Sequence, residues 1–387
     1  MSTNEFESRI LDGRVWTEFC DELKALGALL DRPETPKDVR NRALGYRYLT
    51  QLLRAGLEAT VDFADPQFPA FYRLADETKK MLNDNPDNAY QNCVLDPRFD
   101  YRIRGTRGTT RFLSFGTKGS SADAGAMVGT GDLDSSRMHF DSDGRFEIAV
   151  SCREQPGNWL PMTPQTRSLV VRQTFGDRRT ERPAELSIEC IGRERRHATP
   201  EPDRLETSLR AALGFVRSTV TMNVDWMERY RRSALNALPE DDQAACQRAG
   251  GDPRVHYYQS YWKLAPDEAL IVRFEDIPEC ETWNFQLSNY WMQSLDYRHH
   301  RISINKFTAH YDSDGSVEIV VAHRDPGPHH PNWLDPCGHD QGGMIGRYVG
   351  AQRPPDRLRA VVVPFDALAH RSHRRLDSSA RGAVDGD

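Results

Sequence analysis

Apolar residues recur every three to four positions in the first 83 residues, which is the spacing of an amphipathic helix. One such stripe consists of Leu23, Leu26, Leu29 and Leu30, with acidic residues between them. Pro36 suits the first turn of a second helix, and the pattern predicts a third helix over residues 71–82. We therefore predict a helical region over residues 1–83.

A second part of the chain has the same periodicity. Residues 203–220 and 225–248 have helical spacing. They predict a helical insert over residues 196–262, between two stretches of a different pattern.

Those two stretches, residues 84–195 and 263–369, have short apolar runs broken by Gly and Pro, which is typical of β-strands. The polar residues 370–387 predict a disordered tail. The predicted fold class is α+β, with two related antiparallel β-sandwich units.

The two β-rich stretches contain the same motif. Residues 139–153 align without gaps on residues 310–324, and nine of the fifteen positions are identical. Pro-Gly and Asn-Trp-Leu follow in both copies, although a short insertion containing His329 and His330 separates them in the second. The chain therefore arose by internal duplication.

Each copy contains Asp-Ser-Asp-Gly, which favours a tight turn closed by a glycine at positive φ. If this turn joins two strands of a hairpin, Phe140 pairs with Phe146 and His139 lies opposite Glu147. By the same count, His310 lies opposite Glu318. We take these His–Glu pairs to be solvent-exposed pairs that set strand register, with a role as general acid as the alternative.

Composition narrows the choice of partner and compartment. A net charge of −6 argues against nucleic acid, and no apolar stretch is long enough to span a bilayer. The amino terminus has no signal-peptide pattern. The seven scattered cysteines form no Cys-x-x-Cys pair. We expect a cytoplasmic protein that contacts neither nucleic acid nor membrane and that is able to form an oligomer.

Several of these motifs resemble a bacterial and fungal family described by two adjoining domains of unknown function, 1254 and 1214. The amino-terminal hallmark, Asn-Pro-Asp-x-x-Tyr, is present at residues 85–90. The carboxy-terminal hallmark combines Asp-Gly-Ser, Pro-Asn-Trp-Leu and an Arg-aromatic pair, here residues 314–316, 331–334 and 347–348. The resemblance implies jelly-roll-like sandwiches joined by a helical segment, and carbohydrate processing or binding.

The candidate catalytic residues are an acid or base at Asp87, a hydrogen-bond donor at Tyr90, and His323 and Asp325 after the repeated strand. The alternative for the Asn85–Tyr90 motif is a structural turn between helix and strand. At position 323 the repeat loses its symmetry, because Cys152 occupies the equivalent position. An active centre is one reason for such divergence, and sequence drift is another.

The candidate substrate-binding residues combine arginines with aromatic rings, a pairing suited to a carboxylate, a phosphate or a sugar. The alternative is that the arginines hold turns through ion pairs and that the tryptophans are core anchors. The set consists of Asn85, Arg153, Trp159, Arg172, Arg324, Trp333, Arg347 and Tyr348.

Metal and nucleotide sites find no support in the motifs. Asp141 and Asp143 begin like a calcium loop but lack the later Glu ligand. Seven histidines lie between His299 and His339 without zinc-ligand spacing; we expect them in exposed loops, with a zinc or iron site as the alternative. No nucleotide-binding glycine motif or serine-hydrolase elbow is present. The prediction is no metal and no cofactor.

Three functions remain open. The first is an enzyme that acts on a polar or partly lipophilic small molecule by acid–base chemistry, through hydrolysis, elimination or isomerisation. The second is a carbohydrate- or small-ligand-binding protein without catalysis, and the third is a structural protein.

Overall fold

The computed structural model describes residues 3–120, 127–192, 202–355 and 358–370. The predicted tail, residues 370–387, lies outside them except for His370. Five α-helices are present in these ranges: α1 (Thr3–Leu11), α2 (Arg14–Ala25), α3 (Val39–Leu57), α4 (Pro202–Ser233) and α5 (Gln243–Arg248). None of these helices combines the length and the apolar character needed to cross a membrane.

The described residues also form sixteen strands. The first half contains β1 (Asn88–Val94), β2 (Tyr101–Thr106), β3 (Phe112–Ser120), β4 (Met127–Asp134), β5 (Arg145–Ser151), β6 (Trp159–Pro161), β7 (Thr166–Thr174) and β8 (Glu185–Cys190). The second contains β9 (Val255–Lys263), β10 (Glu268–Phe274), β11 (Thr282–Leu287), β12 (Ser303–Asn305), β13 (Val317–Ala322), β14 (Trp333–Leu334), β15 (Gln341–Val349) and β16 (Leu358–Pro364).

The strands form four sheets of four, and the two halves have the same strand order. The first half contains β1-β7-β3-β4 and β6-β5-β2-β8; the second contains β9-β15-β11-β12 and β14-β13-β10-β16. Adding eight to each strand number of the first half therefore gives the strand order of the second half. Almost all neighbours are antiparallel, which confirms a mixed α+β fold with two related β units.

Three helical predictions were wrong in detail. Residues 71–82 form no helix, because the Asp76 carboxylate accepts hydrogen bonds from the backbone N–H groups of Thr78 and Lys79 and closes a turn instead. The two predicted helices of the insert are one helix up to Ser233, followed by the short α5. Strand β9 also lies within residues that we assigned to the insert.

Helix α4 continues through residues 220–225 because its buried face is unbroken. Val216, Val220, Val224 and Met227 all face one apolar cluster. This cluster also contains residues of α2 and α3, together with Tyr290 and Trp291 of the second half. The amino-terminal helices therefore pack on α4 and on the second β unit.

The predicted hairpin around residue 143 forms only in part. The turn is present, with the Gly144 N–H donating to the Asp141 carbonyl and a φ of 74° at Gly144. The Asp141 N–H donates to the Arg145 carbonyl, and the predicted Phe140–Phe146 contact exists, with ring centroids 5.5 Å apart. However, the strand ladders of β5 are with β2 and β6. The predicted His139–Glu147 pair does not form, because Glu147 binds Arg102 and Arg104.

The second copy differs from prediction in the same way. The Gly315 N–H donates to the Asp312 carbonyl, and β13 pairs with β10 and β14. Glu318 lies 3.4 Å from the guanidinium of Arg273 instead of pairing with His310.

Candidate functional site

The sheets β1-β7-β3-β4 and β9-β15-β11-β12 contribute side chains to a common region between the two halves. A cavity of about 180 Å³ lies there, and Arg172 of β7 and Arg347 of β15 both line it. These two arginines occupy equivalent positions in the duplicated fold. Each lies in the second strand of its sheet, directly opposite a tyrosine.

Those tyrosines are Tyr90, which is paired with Arg172, and Tyr257, which is paired with Arg347. Both line the same cavity. The Tyr90 hydroxyl accepts a hydrogen bond from the Asn85 N–H (3.1 Å), and the Tyr257 hydroxyl accepts one from the Asp252 N–H (2.9 Å). Because both bonds use the hydroxyl as acceptor, each hydroxyl hydrogen is left to donate. Burial raises the pKa of Tyr257 to about 12, so this side chain remains a neutral donor.

Arg347 binds protein groups on the wall of this cavity and so has a structural role. Its guanidinium donates to the Gln286 side chain (2.6 Å) and to the backbone carbonyl of Asn83, and only 7% of the residue is exposed. It therefore holds residues 83–87, which run along the sheet of the second half. We call this stretch the docking segment.

The docking segment makes further bonds to that sheet. The Asn83 amide donates to Gln259 (2.8 Å), the Asn85 side chain accepts from Asn284 (2.7 Å), and the Asp84 carbonyl accepts from Gln286 (2.9 Å). Asn85 is buried by these contacts. The motif predicted to face a cleft thus joins the two halves.

Asp87, the last residue of the docking segment, lies in a different and more open cavity of about 650 Å³. Arg178, Tyr297 and Asn305 line the same space. Burial raises the pKa of the Asp87 carboxyl to about 6, although nearby Asn305 and Arg178 favour the charged form. Asp87 and Tyr90 are therefore not in one site.

A third cavity, of about 440 Å³, adjoins the central one and shares Arg172 and Gly251 with it. Five basic residues line it against three carboxylates, so its wall is positive overall. The basic residues are Lys118, Arg137, Arg172, Arg248 and Arg254, and the acidic ones are Asp132, Asp134 and Asp252. Phe115, Val128 and Leu133 add an apolar wall.

Lys118 is the unusual member of this wall. It is 4% exposed, and its Nζ donates to the Gly251 carbonyl (3.2 Å). In the described ranges it forms no ion pair with a carboxylate. Burial, together with the charge of Arg172, lowers the pKa of the Lys118 amine to about 8. We refer to the two adjoining cavities as the Lys118–Arg172 site.

Arg172 is the second cation of the site, and a nearby carboxylate partly compensates its charge. Arg172 donates to the Gly250 carbonyl (2.7 Å), and its guanidinium lies 3.6 Å from Asp252. This leaves further N–H groups of the guanidinium to bind a ligand, since the side chain has five.

The other predicted site residues lie elsewhere. Tyr348 belongs to the core of the second half, where it packs against Tyr258 and Phe274. The indole N–H groups of Trp159 and Trp333 donate to the backbone carbonyls of Ser151 and Ala322, which are equivalent positions of the repeat. These tryptophans anchor β6 and β14.

The residues that follow the repeated strands are on the outside. Arg153 and Asp325 are exposed, and the Asp325 carboxylate accepts from the Gly327 N–H (2.8 Å) within its own turn. Arg324 lies over the ring of Phe365, 4.2 Å from the centroid. His323, by contrast, is half-buried, and its Nε2 atom is buried. None of these four lines the cavities described above.

Sequence reasoning missed Lys118 and Tyr257. Tyr257 is detectable once the repeat is extended to β1 and β9, because it corresponds to Tyr90. Lys118 carries no sequence signal, since a lysine in a Gly-rich strand is usually exposed.

The fold and cavities define a duplicated α+β protein whose two halves enclose a basic site. The match to the family described as "Protein of unknown function (DUF1214)" covers residues 263–351, which confirms that part of the predicted resemblance. The solved structure of an uncharacterised protein from Burkholderia cenocepacia is 45% identical, with a TM-score of 0.89, and covers 93% of this chain and 99% of its own. The chain belongs to the family of that protein.

A second solved structure, the VPA0106 protein from Vibrio parahaemolyticus, is 12% identical. Its TM-score is 0.48, with 82% of this chain and 98% of that chain covered. No curated protein matches the chain. The adjoining domain 1254 stays a prediction.

Proposed function

We propose that the protein is an enzyme that acts on a small, partly lipophilic organic anion by acid–base chemistry, without a nucleotide cofactor. The observation that carries this proposal is the convergence of Lys118 and Arg172 on one cavity with a positive wall and an apolar side. Arg172 would bind the carboxylate of the substrate, and Lys118 would accept or donate the proton.

The environment of Lys118 suits this role. An ordinary lysine is almost fully protonated at neutral pH, whereas an amine with a pKa of about 8 supplies a useful fraction of free base. Tyr90 and Tyr257 line the adjoining cavity, and each hydroxyl has a hydrogen left to donate. They would stabilise negative charge that develops on the substrate.

The first experiment is a thermal-shift screen of small aliphatic and aromatic carboxylates on the wild type, Lys118→Met and Arg172→Met. We expect at least one carboxylate to raise the melting temperature of the wild type and to lose most of its effect in both variants. Arg324→Met is the matched control, because Arg324 lies outside the site. A wild-type response in both site variants would refute this location.

Turnover separates the enzyme from the binding protein. Any carboxylate that binds is incubated with the protein and analysed by mass spectrometry. A product that forms with wild type but not with Lys118→Met supports catalysis. Binding without product supports the second function, a small-ligand-binding protein.

Asp87 marks a second candidate place for the same chemistry, since its raised pKa makes it a general acid near neutral pH. The pH profile distinguishes the two sites. Activity that rises through about pH 8 indicates Lys118 as base, whereas activity that rises or falls through about pH 6 indicates Asp87.

We infer that each pair of sheets forms a jelly-roll-like sandwich, because β10, β11, β13 and β15 share one apolar cluster. We also propose that the first half corresponds to domain 1254. The seven free cysteines are consistent with a reducing, cytoplasmic location.

A further inference from the structure

Three side chains with different donor atoms meet at a loop junction outside the Lys118–Arg172 site. They are His300, Asp335 and Cys337, and one donor atom of each lies within 4.8 Å of the other two. In the ranges that the structure describes, this is the one group of three or more His, Cys, Asp or Glu residues that meets this criterion.

The fold brings the three residues together through two loops. His300 ends a turn in which its N–H donates to the Asp296 carbonyl (3.0 Å), and Asp335 and Cys337 follow β14. The Asp335 N–H donates to the Arg301 carbonyl (2.8 Å), which ties one loop to the other. The positions of the donors are thus set by backbone bonds.

The Cys337 backbone is itself held in an uncommon conformation. Its φ is 54°, in the left-handed region that non-glycine residues seldom occupy. The Cys337 N–H donates to the Asp335 carboxylate (2.7 Å), and the Cys337 carbonyl accepts from Arg40 (2.8 Å). These bonds fix the thiol close to the carboxylate.

The donor atoms lie close enough together to surround one ion. The His300 Nδ1 atom lies 2.7 Å from the Asp335 carboxylate. Zinc binds nitrogen and oxygen at about 2.0–2.2 Å and sulfur at about 2.3 Å in tetrahedral geometry, so its ligand atoms lie roughly 3–4 Å apart. A metal ion would replace the hydrogen between His300 and Asp335 after a small outward shift of the side chains.

The chemistry of the donors selects the class of ion. Imidazole, carboxylate and thiolate together suit zinc and similar divalent transition metals, whereas calcium and magnesium prefer oxygen ligands alone. The His300 side chain is 42% exposed and that of Asp335 is 24% exposed. Solvent therefore reaches the cluster, and water can occupy a fourth position.

We propose that His300, Asp335 and Cys337 form a binding site for zinc or a similar divalent transition metal. This site is independent of the proposed function, since it shares no residue with the Lys118–Arg172 site.

The test uses cobalt as a spectroscopic substitute for zinc. Full-length protein is treated with chelator and titrated with Co²⁺, while absorption is followed in the near ultraviolet and the visible. We expect one equivalent to give a thiolate-to-cobalt charge-transfer band, and zinc to abolish it by displacement. Cys337→Ser should remove this band, and His300→Ala should weaken binding more than tenfold.

Matched controls are Cys280→Ser and His299→Ala, which lie outside the cluster and should bind like the wild type. His300 is largely exposed, so its substitution leaves the fold intact, and circular dichroism checks both cluster variants. Absence of the band in the wild type at one equivalent would overturn the proposal. A band that survives in Cys337→Ser would do the same.

Discussion

Asn332 makes the same three hydrogen bonds in the second half that Asn158 makes in the first. The Asn332 side chain accepts from the His310 N–H (2.8 Å) and donates to the carbonyls of His310 (2.8 Å) and Glu318 (2.9 Å). Asn158 makes the corresponding bonds to His139 and Glu147 at 2.7, 2.9 and 3.0 Å. The Asn-Trp-Leu sequence recurs in both copies, despite the insertion in the second, because its asparagine forms a backbone clamp between the turn and the strand.

The clamp predicts a clear difference between Asn332→Ala and His310→Ala. Asn332 is 3% exposed, and its removal leaves three backbone groups without partners, which we expect to lower the free energy of unfolding by about 2–4 kcal/mol. His310→Ala keeps the backbone bonds, so its effect should be within about 0.5 kcal/mol. Urea unfolding measures both. Equal losses would show that the imidazole, rather than the backbone, is what matters.

Arg347 is expected to act on stability. Replacing it by Met leaves the Asn83 carbonyl and the Gln286 side chain without their charged donor in a buried place, at a cost of about 3 kcal/mol. Thermal and urea unfolding provide the measurement. Arg324→Met is the control, and its exposed ring contact is worth less than about 1 kcal/mol. A neutral Arg347→Met would contradict the structural role of this arginine.

Asp87→Asn should stabilise the protein at pH 7–8. The pKa of this carboxyl is about 6 in the folded protein against 3.8 unfolded, so folding disfavours the charged form. We expect a gain of about 1–3 kcal/mol, reduced because the side chain is partly exposed. As pH falls from 6 towards 4, Asp87 becomes protonated in the folded protein while it is still charged in the unfolded chain. The stability advantage of Asp87→Asn over the wild type should therefore disappear over that interval. Unfolding at pH 4, 6 and 8 measures it, and a gain independent of pH would count against this account.

Lys118 should titrate well below the other lysines. Its pKa of about 8 lies below the ordinary 10.5 because the amine is buried beside Arg172. Dimethylation with an isotopic label makes each lysine visible by NMR, and Lys118→Met identifies the resonance. Arg172→Met should move the titration upward, since it removes one of the two causes. A Lys118 midpoint above pH 10 would remove the basis for its role as base.

The lowered pKa of Lys118 should also make the stability of the protein depend on pH. The folded protein loses the Lys118 proton at lower pH than the unfolded chain does. The wild type should therefore gain stability relative to Lys118→Met as pH rises from 8 to 10.5. Comparing the two unfolding midpoints at pH 7 and pH 10 tests this.

The sequence predicted the class of fold and the duplication because periodicity and repeats are local signals. Two of its candidate site residues, Arg172 and Tyr90, line one cavity in the structure. It did not reveal that Arg347 binds Asn83 and that Asn284 binds Asn85, because these contacts join residues 264 and 199 positions apart. Tyr348 was predicted to bind substrate but lies in the core. In a sequence, an aromatic residue next to an arginine has the same pattern whether it belongs to a core or to a binding site.

The docking segment has a consequence for how the chain folds during synthesis. Residues 83–87 precede every strand of the first half, yet their hydrogen-bond partners are in β9, β11 and β15. The ribosome makes the first of these partners, Gln259, 176 residues after Asn83 and the last, Arg347, 264 residues after it. Until then the groups of the segment that bind the second half have only water as a partner. The two copies produced by the duplication therefore complete their folding together. We expect that neither half folds completely when it is expressed alone.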